Sequence, residues 1–131
     1  MHYVVVVCND DEDLDCIEGA FHVQPGNFSI ETFRSARGLT RYLARLDDDN
    51  FPCLIIINNY LPDMDSLELL GKIREEPSYR HIPVTIMAGF ATEHTIRGYY
   101  LAGANCFYKK PGDQYEWNHM ADCLITLFCR I

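Results

Sequence analysis

Hydrophobic positions along this chain follow two alternating rhythms. Residues 3–7 and 54–57 are apolar at every position and rich in Val and Ile, the pattern of parallel strands buried on both faces. Residues 28–33 alternate apolar with polar instead, which suits a strand at a sheet edge. A fourth strand is predicted over 84–87, after the turn-favouring His81-Ile82-Pro83, and a fifth over 104–108, ended by Pro111. Between these runs the spacing becomes helical. Leu14, Ile17 and Phe21 mark a first helix that Asp10 or Asp11 caps, and Leu39, Tyr42, Leu43 and Leu46 recur at i, i+3, i+4 and i+7. Pro77 stops a third helix. The last helix carries Trp117, Met120, Ala121, Leu124, Leu127, Phe128 and Ile131 on one stripe. Pro25-Gly26-Asn27 and residues 47–50 read as turn and loop. Strand and helix thus alternate five times, which predicts an α/β fold with an open, doubly wound parallel sheet. In such sheets functional groups collect beyond the carboxyl ends of the strands.

Composition narrows the function. With 131 residues, 48% apolar and 23% charged, the chain has the size and balance of one globular domain. Its formal charge of −8 repels phosphate backbones, so nucleic-acid binding is not expected. The apolar run 4–7 is followed at once by acids, so it is neither a signal peptide nor a membrane span, and a cytoplasmic location is expected. Six cysteines form no C-x-x-C pair and are expected to be reduced, buried thiols. The five histidines show no metal-ligand spacing, so no zinc site is expected.

The residues just after the strands are Cys8-Asn9-Asp10-Asp11, Asn58-Asn59, Ala88-Gly89 and Lys110-Pro111. Here the chain resembles a known family. The stretch LIIINNYLPDMDSLELLGKIR, residues 54–74, is similar to the third strand and following helix of response regulator receiver domains, in which L-P-D-M-D-G follows a phosphorylated aspartate. Residues 61–66 match that segment except at Ser66. VVVVCNDDED at the first strand, HIPVTIMAGF at the fourth and AGANCFYKKP at the fifth extend the resemblance over the whole chain. It implies one receiver-like domain over 1–131 without an output domain, three layers, flavodoxin-like strand order 2-1-3-4-5, and a role in two-component signalling.

The resemblance also implies that the site is degenerate. The acidic pair that binds Mg²⁺ in the family falls on Cys8 and Asn9, the phosphoacceptor on Asn58, the switch hydroxyl on Ala88, and the lysine on Lys110. An amide is a poor nucleophile, and a thiol with neutral amides suits Mg²⁺ badly, so no cofactor and at most weak Mg²⁺ binding are expected. Without its acidic neighbours Lys110 is expected to bond Asn58, Asp10 or water. The resemblance further suggests a cis Lys110–Pro111 bond, and an inward Phe107 as the switch aromatic beside Ala88. The usual partner face of the family carries Tyr99, Tyr100, Tyr108, Tyr115 and Trp117, candidate anchors for another signalling protein or a second copy. The expectation is therefore a non-enzymatic, phosphorylation-independent module. Two alternatives stay open: phosphate or Mg²⁺ handled through the displaced carboxylates Asp10 and Asp11, and a thiol role for Cys8 near Lys110.

Overall fold

The structure, a computed structural model, describes residues 2–129. Among these residues five strands and five α-helices alternate, with one 3-10 turn, Asp48–Asn50, before the third strand: β1 His2–Val7, α1 Asp11–His22, β2 Phe28–Phe33, α2 Ala36–Ala44, β3 Leu54–Asn58, α3 Ser66–Glu75, β4 Val84–Ala88, α4 Glu93–Leu101, β5 Cys106–Lys109 and α5 Gln114–Phe128. The strands form one parallel sheet in the order β2-β1-β3-β4-β5, so the α/β doubly wound topology is as expected. Each α-helix opens on a side-chain cap, from Asp10, Ser35, Asp65, Thr92 and Asp113 in turn. Such caps satisfy amides that the helix itself cannot.

Alternation along the central strands divides the core in two. Val4, Val6, Leu54 and Ile56 face α1 and α5, where Ile17, Phe21, Trp117 and Leu124 meet them. Val5, Val7, Ile55 and Ile57 face the other way, onto Leu39, Leu43, Leu70 and Ile73 of α2 and α3. The continuous apolar runs are thus two alternating faces, both buried. No helix among the described residues is long and apolar enough to cross a membrane.

Four details depart from the sequence pattern. α2 ends at Ala44, so Leu46 lies in the turn beyond it, its amide bonded to the Leu43 carbonyl. β5 begins at Cys106 rather than 104, because Gly103, at φ +108°, turns the chain after α4 and residues 104–105 lead into the strand. That position requires glycine twice over, since a Cβ there would stand 2.9 Å from Arg74 Cγ. α5 ends at Phe128, and Ile131 lies outside the described residues. Cys53 and Cys129 form a disulfide, with Cα atoms 5.4 Å apart, where reduced thiols were expected. Their 76-residue separation hid the pairing, which arises because α5 returns to the amino end of β3.

At that same end, Arg74 joins three segments. Its guanidinium donates to the carbonyls of Gly103 (2.9 Å), Arg80 (2.9 Å) and Ile82 (2.9 Å) and to Asn105 Oδ1 (2.8 Å). Asn105 Oδ1 also accepts from the Val84 amide, so the entries of β4 and β5 are tied to the end of α3.

Candidate functional site at the carboxyl end of the sheet

The parallel strands bring the four predicted segments together at one end. A cleft of about 260 Å³ there is lined by Asn9, Asp10, Asn58, Asn59, Tyr60 and Lys110. Asn58 is the last residue of β3 and is buried. Its Nδ2 donates to the Tyr60 carbonyl at 3.0 Å, while its Oδ1 has no hydrogen-bond partner among the described residues. A buried amide oxygen left unpaired costs on the order of 1–3 kcal/mol.

Lys110 follows β5, and its backbone amide bonds the Ala88 carbonyl at 2.8 Å. Its ammonium takes a partner that the sequence did not single out. It lies 2.7 Å from the carboxylate of Asp13, in the first turn of α1, with side-chain exposures of 23% and 18%. This corrects the expectation of Asn58, Asp10 or water. The Asp10 carboxylate is engaged as the α1 cap, accepting from the Asp13 amide at 2.9 Å, and a neutral amide competes poorly with a carboxylate for an ammonium. Asp11 is exposed and pairs with Arg34, away from the cleft. Nothing local to Asp13, in the first turn of α1, marks it as this partner.

Cys8 is fully buried at the end of β1. Burial pushes its thiol up from the ordinary value; the Asp10 amide, 3.5 Å from Sγ, and the Lys110 charge act in the opposite sense and are outweighed. The proximity of Lys110 therefore does not yield a ready thiolate. Ala88 is buried and brings no polar group to the cleft. The cis Lys110–Pro111 bond is not found: cis peptides are absent among the described residues. The trans form is the intrinsic preference of an X-Pro bond.

Phe107 is half-buried and stacks on Tyr99 with ring centroids 6.2 Å apart. Its amide donates to the Tyr100 hydroxyl at 2.9 Å. Tyr99 and Trp117 are buried, which removes them as surface anchors, because helical geometry turns each toward the sheet. Tyr108 is half-buried, whereas Tyr100 and Tyr115 are exposed. Ser66, the one departure from the L-P-D-M-D-G pattern, is buried at the start of α3. Its hydroxyl donates to the Asn59 carbonyl at 2.8 Å and so accepts from Tyr99, 2.6 Å away. One hydroxyl thereby links the cleft loop to α4. Asp63 and Asp65 are capping groups: Asp63 accepts from the amides of Ala36 (2.9 Å) and Arg37 (3.0 Å), and Asp65 from that of Leu67 (2.8 Å).

The five-stranded parallel sheet in this order is the flavodoxin-like arrangement, with Lys110 and Asn58 lining one cleft at its carboxyl end. The chain belongs to the response regulator receiver domain family, whose model it matches over residues 4–122. It is 31% identical over 113 residues to an uncharacterised 14.6-kDa protein of Leptolyngbya boryana, covering 86% of this chain and 82% of that one. It is 30% identical over 98 residues to the response regulator Rre1 of Synechocystis, covering 74% of this chain and 40% of that regulator. Among solved structures, the phosphorylated cyanobacterial phytochrome response regulator RcpA superposes with a TM-score of 0.87 at 21% identity, covering 98% of this chain and 95% of that one. The Mn²⁺-bound response regulator Rcp1 gives 0.84 at 18% identity, over 96% and 93%. Receiver domains signal in two-component systems and interact with other signalling proteins.

Proposed function

We propose that this chain is a phosphorylation-independent receiver, acting through protein–protein contacts and catalysing no reaction of its own. The observation that carries the reading is Asn58, buried at the end of β3 where the family resemblance places the phosphoacceptor. Phosphoryl transfer to a receiver needs a carboxylate nucleophile and a divalent cation to offset the charge that develops on the phosphoryl oxygens. Cys8, Asn9 and Asn58 supply neither a carboxylate nor a hard ligand set, and Ala88 cannot donate to a phosphoryl oxygen. The Asp13 carboxylate holds the Lys110 ammonium in place of a phosphate. The Asn59–Ser66–Tyr99 chain, continued by the stacking of Tyr99 on Phe107, supports a single arrangement of loop, α4 and β5 that no phosphate is needed to select.

Incubation with Mg²⁺ and a small acyl phosphate, followed by intact mass, is expected to show no added phosphate on the chain. Asn58→Asp is expected to fail as well, because the metal ligands are missing with the nucleophile; efficient labelling of that single variant would refute the reading. A second reading is favoured by one observation, the place of Asp10 in the cleft lining. It predicts labelling or Mg²⁺ binding that Asp10→Asn abolishes.

A further inference from the structure

Residues 115, 119, 123 and 127 recur every fourth position along α5 and form one ridge. Its ends are apolar and open to solvent, Tyr115 at 81% and Leu127 at 66% exposure. Between them stand His119, exposed, and Cys123, half-buried, with imidazole Nε2 and Sγ 3.6 Å apart. Two ligands on a tetrahedral zinc ion, a nitrogen at ~2.0 Å and a sulfur at ~2.3 Å, stand about 3.5 Å from each other. The pair therefore holds the separation of a bidentate half-site before any metal arrives. Its one-turn spacing escapes notice when histidines and cysteines are considered separately.

The donor set is soft, which selects zinc over magnesium or calcium. It is also incomplete. Among the described residues no group of three or more His, Cys, Asp or Glu converges on a common point, and structural zinc closes at four ligands. We propose that the His119–Cys123 pair binds Zn²⁺ between two copies of this chain, each supplying one imidazole and one thiolate across a two-fold axis. Two-fold symmetry presents the same ridge from both sides, so Tyr115 and Leu127 of each copy flank the metal with apolar contact. Each thiol releases its proton to solvent as its Zn–S bond forms, and no oxidant or reductant takes part. The inference does not rest on the altered pocket: the phosphodonor assay reads Asn58 and the metal assay reads α5, so either can fail alone.

The test is sedimentation of the full chain, its disulfide intact, with and without one zinc ion per two chains. A dimer with zinc, reversed to monomer by a chelator, is the expected result. Co²⁺ in place of Zn²⁺ is expected to give the thiolate charge-transfer absorption and strong visible bands of a tetrahedral site. His119→Ala and Cys123→Ser, one exposed and one half-buried, are each expected to lose at least tenfold in zinc affinity and remain monomeric, with Cys106→Ser unaffected. No zinc uptake, zinc bound to a monomer, a dimer that survives chelation, or dimerisation retained in both variants would each overturn the proposal.

Discussion

At the amino end of β4 and β5, one guanidinium satisfies three carbonyls and an amide oxygen, and a disulfide joins the start of β3 to the end of α5. At the carboxyl end of β3, the buried Oδ1 of Asn58 faces no donor among the described residues, and Lys110, which lines the cleft, pairs with Asp13. The first arrangement is that of a structural joint, with each polar group matched before burial. The second leaves a buried polar atom unmatched, on the residue on which the proposed function rests. The disulfide and the Arg74 joint both lie at the opposite end of the sheet from the cleft, so a change in the cleft leaves them untouched.

Four experiments probe this contrast. The largest effect is expected from Cys129→Ser, which opens a closed loop of 76-residue separation and costs on the order of 3–4 kcal/mol in urea unfolding. Arg74→Met comes next, at about 3 kcal/mol, because it removes the donor to three carbonyls and one of the two donors to Asn105 Oδ1. Hydrogen exchange should rise first at the entries of β4 and β5; a loss under 1 kcal/mol would show that the joint is ornamental. Asn58→Leu, at the opposite end, removes an unpaired oxygen together with the bond to Tyr60, so its stability should stay within about 1 kcal/mol of the parent. A cost as large as that of Arg74→Met would erase the distinction between the ends.

The smallest effect concerns acid. Partial burial works to raise the Asp63 carboxyl, but the Arg37 and Ala36 amides that donate to it bring it net below the ordinary 3.8. A carboxyl lowered in the folded state contributes stability in full above its ordinary value, and that contribution disappears as pH falls through the lower folded value. Unfolding followed downward from pH 4 should therefore steepen in the parent and less so in Asp63→Asn, which also loses about 0.5 kcal/mol of helix capping at neutral pH.

Much of the fold was legible along the chain because its signals are local. Runs such as 54–57 announce a two-sided burial, Pro77 ends α3, and Asp10 caps α1 for reasons confined to a few neighbouring residues. The carboxyl-end cleft was legible too, since a parallel sheet must gather its strand ends on one side. Asp13 was not, because its role depends on where α1 places a carboxylate relative to Lys110, 97 positions away. Trp117 carried two signals, a place on the apolar stripe of the last helix and a place on the candidate partner face, and the structure buries it together with Tyr99.

By itself, then, the sequence determined the alternation of elements, the caps, and the residue types at the four strand ends, including the amide at Asn58. Tertiary structure alone decided which groups are partners: Lys110 with Asp13, Cys53 with Cys129, Ser66 with Tyr99, and Arg74 with the turns before β4 and β5. The reason is distance along the chain. Hydrophobic periodicity and capping act within a turn or two and leave a pattern, whereas a long-range pair leaves none until the chain closes on itself.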